Sequence, residues 1–308
     1  MNYTPFISII VCTYNRCQSL KDTLESFTKL NFSPDINYEI LIIDNNSTDQ
    51  TKNIAQSYVP FLGNKLRYLF EAQQGKCYAL NLSINEAKGD VLAFTDDDVI
   101  VDPNYLLEIN KIFSKPNNEI EFIGGKILPL WEGDKPSWIS GSLMGALAML
   151  DYGKDEFIID SNYKLDFIRK HIFFGANFVF RKKLFKKFGQ FNTKKIVAED
   201  TEMCMRLYKN GVKSLYAPSV IVYHKVPVSR TTPEYFFKWF SQQGQYQEII
   251  DFSKSKFYQP FGIPYWFLMQ TLFFYFKSLI KKDQYKKVLY RCWALFNFAQ
   301  INKVIRKI

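Results

Sequence analysis

The sequence predicts an α/β protein, with a doubly wound, mostly parallel sheet and a helical extension at its C-terminus. Two observations carry this expectation. Short apolar runs recur through residues 6–95, and segments of helical spacing separate them. Such alternation calls for parallel strands, because each return to the same end of a sheet needs a crossover. From residue 233 onward the pattern becomes helical and aromatic, with no further strand signal.

The elements follow in order. Residues 6–11 read as a first strand, and residues 18–30 as a helix with Leu20, Leu24 and Phe27 on one face. A second strand at 38–43 ends in Asp44-Asn45-Asn46-Ser47, and Thr48 or Asp49 can cap a helix over 50–58. A short strand at 65–69, a helix at 76–87 and a strand at 90–95 complete the alternation. Asp102 and Pro103 introduce a helix over 104–114. A strand at 120–127 leads into a Pro/Trp/Gly-rich segment at 128–142 that includes Trp131 and is long enough for a lid or a substrate-binding loop. Further strands are expected at 173–181 and 213–223, with a helix at 199–210. Residues 1–232 are expected to form the catalytic body and residues 233–308 the extension.

Composition narrows the class. The chain has 308 residues, is 47% hydrophobic and has a net charge of +10. Five scattered cysteines with no C-x-x-C pair argue against a zinc site or a disulfide framework and for a reducing compartment. Met1–Pro5 lacks a basic n-region and a cleavage site, so no secretory leader is expected. The charge is uneven: residues 225–308 hold 14 Lys/Arg against 4 Asp/Glu, and the rest of the chain is neutral. The same segment carries 22 aromatic residues. Nucleic acid or a membrane surface would suit such a tail. Nucleic acid would leave the acidic motifs of the body unexplained, so none is expected.

Asp96-Asp97-Asp98 is the most informative motif. It follows the apolar run Val91-Leu92-Ala93-Phe94, at the strand end where open α/β sheets place ligands. Adjacent carboxylates repel, and a divalent cation on a phosphate relieves that repulsion. A polar turn is the alternative. Other element ends add candidates. Thr13-Tyr14-Asn15-Arg16 follows the first strand, where free N–H groups and Arg16 suit phosphate oxygens, unless the turn is merely capped and Arg16 solvated. Asp44 could contact a nucleobase or ribose, or start an Asx-turn. Lys76 in a first helical turn opposes the dipole, which hints at an anionic ligand. Gly175-Ala176-Asn177 has little bulk, from a packing need or to let backbone approach a ligand. Glu199-Asp200 opens a helix, and one of the pair could be a general base. His224 ends a strand and is followed by Lys225 and Arg230, suiting metal or phosphate, or a structural role.

In this order and spacing the motifs resemble a family 2 glycosyltransferase with the GT-A fold, over roughly residues 6–230. The resemblance implies inverting transfer of a sugar from a nucleoside diphosphate sugar, UDP most often, to an acceptor hydroxyl, in cell-surface polysaccharide or glycolipid synthesis. It implies that Thr13, Tyr14, Asn15, Arg16, Asp44, Lys76, Asp96 and Asp97 bind the nucleotide sugar. Asp96 and Asp98, with His224, would hold Mn²⁺ or Mg²⁺, and Arg230 a phosphate. Gly175, Ala176, Glu199 and Trp131 would meet the sugars, and Asp200 would be the base. A nucleotidyltransferase is the rival enzyme, but the first turn lacks the glycine such a phosphate loop usually needs.

The tail adds one expectation. Residues 263–276 are apolar and Lys277 interrupts them, which is short of the ~20 residues that span a bilayer. An interfacial helix fits, as does a helix packed on the body. The first would place the protein in the cytoplasm, on the inner face of the membrane and near a carbohydrate or lipid-linked acceptor.

Overall fold

The computed structural model describes residues 4–115, 119–160, 162–164, 167–168, 171–194, 198–246 and 263–306. They fall into two compact units. The first comprises residues up to Leu130 together with Ala148–Lys225, and the second Trp131–Leu147 with Val226–Ile308.

The first unit is organised by a mixed sheet. Its strands are β1 (Ile7–Thr13), β2 (Tyr38–Asp44), β3 (Leu66–Phe70), β4 (Val91–Asp96), β5 (Val99–Val101), β6 (Phe122–Trp131), β7 (Phe157–Ile159), β8 (Asn177–Arg181) and β9 (Ser214–Val226). The helices are α1 (Cys17–Phe27), α2 (Thr51–Ser57), α3 (Val59–Leu62), α4 (Lys76–Glu86), α5 (Tyr105–Phe113), α6 (Lys183–Phe188) and α7 (Glu199–Lys209). The strand order is β3-β2-β1-β4-β8-β6-β9-β5, with β7 on β9.

The first four strands are parallel, as the alternation predicts. Both β1 and β2 are buried on both faces, which is why their sequences run apolar without alternating. The chain moves outward from β1 to β3 and then returns to place β4 on the other side of β1. That reversal opens a crevice at the C-terminal ends of β1 and β4. Register delivers the motifs there, since Thr13 lies beside Asp44 and Cys12 beside Asp96.

Beyond β4 the sheet turns antiparallel. Asn177 of β8 lies opposite Thr95, and His224 of β9 opposite Val99. An apolar layer of Phe94, Phe178, Phe180, Phe185 and Phe191, with ring centroids 4.8–6.2 Å apart, fills the space beneath these strand ends.

Three expectations change. A short strand, β5, not among those expected from the sequence, lies between the aspartates and the helix introduced by Asp102 and Pro103. The strand expected from residue 173 begins at Asn177, because Phe173 leaves the ladder and packs its ring over Gly124. A Cβ at Gly124 would lie 2.0 Å from that ring. Gly175 and Ala176 therefore sit in the turn before the strand, not on it. Finally, β6 runs on to Trp131, so the loop expected from 128 begins only after it.

The second unit is mainly helical, with α8 (Pro233–Tyr246), α9 (Tyr265–Ile280) and α10 (Gln284–Ile305). Helices α8 and α10 pack closely at Gly244, where a Cβ would lie 2.4 Å from the Phe296 carbonyl oxygen. No helix among the described residues is long and apolar enough to cross a membrane.

Candidate active site

The acidic triplet is both a turn and a cluster. Asp96 closes β4, and Asp97 and Asp98 form the turn into β5. Thr23 on α1 pins this turn by sharing its hydroxyl with the carbonyls of Asp97, at 3.0 Å, and Val99, at 2.7 Å. Asp97 is buried and turned inward. It accepts from the Thr13 hydroxyl at 2.8 Å and from the Arg16 guanidinium at 3.0 Å, while Arg16 also reaches Asp98 at 2.9 Å. Burial pushes the Asp97 carboxyl up to about 6, against the pull of Arg16 and with the help of Asp98. Asp97 is thus engaged by the protein itself, and it fixes Arg16 over the crevice.

Asp96, Asp98 and His224 point one donor atom each to a common centre, all within 4.8 Å of one another. His224 Nε2 lies 3.2 Å from Asp98 Oδ1. Two carboxylates with one imidazole form a donor set that fits a divalent cation of the Mn²⁺ kind. Lys225, the residue after His224, turns away and pairs with Asp22 on α1. Successive residues of a strand face opposite sides of the sheet, which is why the two separate.

Lys76 joins this cluster to the Glu199-Asp200 pair. Its ammonium lies 3.2 Å from Asp96 Oδ1 and 3.1 Å from Glu199 Oε1. Within the protein, then, the anions that explain a lysine at this helix start are its own carboxylates. Glu199 is half-buried, and against the cost of desolvation Lys76 holds it below the usual carboxylate range. Asp200 goes the other way: burial first, and the Glu199 charge next, push it up to about 6. Its carboxylate accepts from the backbone N–H of Gly175 at 3.1 Å and of Thr201 at 2.6 Å. The turn before β8 therefore orients Asp200. Ala198, just ahead, adopts a left-handed conformation with φ of 60°, strained for a residue with a side chain.

Asp44 lies at the far side of the same sheet edge. It starts an Asx-turn, accepting from the Ser47 N–H at 2.9 Å, and also accepts from the Tyr68 hydroxyl at 2.7 Å. The loops after β1 and β2 are stitched together. Asn15 N–H donates to Ser47 Oγ at 2.9 Å, Cys17 N–H to Asp49 Oδ2 at 3.0 Å, and Thr48 N–H to Asn15 Oδ1 at 2.7 Å. The Asn15 amide, in the turn expected to offer free N–H groups, is therefore already used, and so is that of Cys17. Asn15 and Asn46 take positive φ at these turns, a conformation asparagine tolerates. Tyr14 projects outward, about half exposed.

Three residues help to shape the site without having been assigned a part in it from the sequence. They are Thr23, Tyr68 and Asn45, whose amide accepts from Gly75 N–H and donates to the Gln73 carbonyl, fixing the start of α4. Their partners are distant in sequence, so no local pattern marks them. Trp131 and Arg230 belong to the second unit.

The chain is similar to other proteins in sequence and in structure. The chain is 21% identical over 255 residues to the glucosyl-dolichyl phosphate glucuronosyltransferase of Haloferax volcanii, covering 80% of this chain and 77% of the relative. It is 27% identical over 224 residues to the O-antigen chain rhamnosyltransferase WbaN of Salmonella anatum, covering 71% and 66%. Among solved structures it resembles the mannosyltransferase PcManGT from Pyrobaculum calidifontis, in complex with GDP-Man and Mn²⁺. That match has a TM-score of 0.57 at 17% identity, over 98% of this chain and 75% of the other. S. aureus TarS 1-349 in complex with UDP matches with a TM-score of 0.55 at 18% identity, over 98% and 91%. These likenesses establish the GT-A fold. The family model described as glycosyl transferase family 2 matches residues 8–189, from the first strand through α6, and the chain belongs to that family.

Proposed function

We propose that the protein is a metal-dependent, inverting glycosyltransferase that moves a sugar from a nucleoside diphosphate sugar to the hydroxyl of a carbohydrate or lipid-linked acceptor. The observation that carries this reading is the pairing, in one crevice, of a cation-type donor set with a half-buried carboxylate pushed up to about 6. The donor class is supported by neighbours of the same fold that carry GDP-Man, UDP or UDP-GlcNAc. We take UDP as the nucleotide, with Asp44 at the base or ribose. The acceptor class is supported by relatives named for dolichyl phosphate and O-antigen chains, which points to polysaccharide or glycolipid synthesis.

Asp96, Asp98 and His224 would hold Mn²⁺ or Mg²⁺, and the imidazole favours Mn²⁺. When bound, the cation supplies Lewis-acid stabilisation of the diphosphate leaving group. The chain's own groups do the rest. Arg16, held by Asp97, places a guanidinium beside the diphosphate, and Lys76 adds a second cation. Asp200 removes the proton from the acceptor hydroxyl as its oxygen attacks the anomeric carbon. Attack from the face opposite the diphosphate inverts that carbon. A base with a pKa of about 6 is ionised at neutral pH yet still basic enough to take part in proton transfer.

Asp200→Asn tests the assignment. It is expected to lower turnover by about 10²–10⁴-fold while UDP-sugar binding, followed by calorimetry, stays within a few-fold of the native value. Loss of donor affinity in step with loss of turnover would show that Asp200 supports the donor site instead.

A further inference from the structure

We propose that α9 is a membrane-docking element, whose exposed face lies in the interface of a bilayer rich in anionic lipid. The reading goes beyond the sugar transfer and stands on separate observations. Helix α9 has two apolar faces. One is used inside the second unit, where Phe267 packs with Ile263 and Ile301, and Phe274 stacks on Tyr290 of α10. The other carries Met269, Leu272, Phe273, Phe276, Leu279 and Ile280, all exposed, with Phe276 at 58% and Ile280 at 71%. Their spacing of three and four residues aligns them in one continuous stripe along the helix. Scattered exposed apolar residues are ordinary, but a contiguous stripe marks a surface that binds something.

Charge identifies the occupant. Residues 265–291 hold six Lys/Arg against a single acid, Asp283, whose carboxylate caps α10. Lys277 lies over the Phe273 ring at 5.1 Å, and the Arg291 guanidinium over the Tyr275 ring at 4.6 Å, so cations border the stripe. Lys281 and Lys282 follow its end, and Lys286 and Lys287 open α10. Aromatic and aliphatic side chains bordered by lysine and arginine match the acyl–headgroup boundary of an anionic bilayer. A second copy fits less well, because a two-fold contact through the stripe would bring the same basic borders together. Spanning is excluded by length: sixteen residues extend about 24 Å, against about 30 Å of hydrocarbon. The helix would therefore lie in the interface plane.

The test uses the full chain without donor or metal, so it is independent of the proposed reaction. Sedimentation is measured with vesicles of one part phosphatidylglycerol to two parts phosphatidylcholine, and with phosphatidylcholine alone. The native protein is expected to pellet with the first and far less with the second. Leu272→Glu/Phe276→Glu, made on exposed positions and checked for native circular dichroism and melting, should weaken vesicle binding about tenfold or more. Lys281→Glu/Lys282→Glu should remove the preference for anionic vesicles. The proposal is overturned if the native protein ignores anionic vesicles, or if the Leu272/Phe276 variant binds them as tightly as the native protein. It is equally overturned if the native chain forms a dimer that the same variant disrupts while vesicle binding is absent.

Discussion

Lys76 shows how one side chain sets the chemistry of others. Its ammonium touches both Asp96, at the cation-type cluster, and Glu199, beside the proposed base. Its positive charge lowers the Asp200 carboxyl against the upward push of burial and of Glu199. Because Asp200 must be ionised to accept a proton, activity is expected to rise with pH through about 6 and then level off. Lys76→Met removes the lowering charge, so the rising limb of the kcat/KM profile should shift to higher pH by about one unit. A profile that keeps its midpoint while the plateau falls would assign Lys76 to substrate contact alone. The sequence marked Lys76 through its poor fit to the helix dipole. It could not show that the nearest anions are the chain's own, since Asp96 and Glu199 reach it only through the fold.

At the scale of elements, the sheet holds the crevice from below. Glu39 of β2 is buried, and it accepts from Ser8 of β1 at 2.7 Å, the Lys88 N–H at 2.6 Å and Arg67 of β3 at 2.8 Å. It thereby ties three strands and the lead-in to β4 at the end opposite the site. Burial opposes its ionisation, but these bonds and the Arg67 charge outweigh it and hold the carboxyl below the usual range. A depressed carboxylate stabilises the fold above the ordinary glutamate range, and that contribution is lost as pH falls through the folded value. Arg67→Met leaves the buried carboxylate without its ion pair and should cost about 3 kcal/mol at neutral pH. The deficit should shrink in acid, where protonation of Glu39 removes the unpaired charge. Urea unfolding at pH 7 and pH 4 measures both, and an equal loss at the two pH values would refute the ion-pair account. Tetrads like this are hard to read from sequence. Ser8 and Arg67 sit in strands whose apolar neighbours identify the strand without revealing which polar partner faces which.

At the scale of the whole molecule, a unit of net charge +2 with an acidic crevice is joined to a helical, aromatic one of net charge +8. If the trio of Asp96, Asp98 and His224 holds a cation on a nucleoside diphosphate, binding should stabilise the fold by mass action. With Mn²⁺ and UDP at a hundred times the dissociation constant, the gain is about 2.7 kcal/mol, read as a rise in melting temperature. Chelation, or the change His224→Ala, should remove most of the rise. A rise of equal size with EDTA present would separate nucleotide binding from the trio.

The sequence by itself determined the parallel half of the sheet, the positions of its helices and the set of strand ends where chemistry gathers. Continuous apolar runs and helical spacing are local signals, whereas the register between parallel neighbours came from the structure. It also determined the motif order that identifies the family. Only the tertiary structure decided what each acid touches. Asp97 turns inward to Thr13 and Arg16, Asp98 meets His224 across 126 residues of chain, and Asp200 is oriented by the amide of Gly175. Those contacts depend on burial and on groups brought close in space, and neither is written in the spacing of residues along the chain.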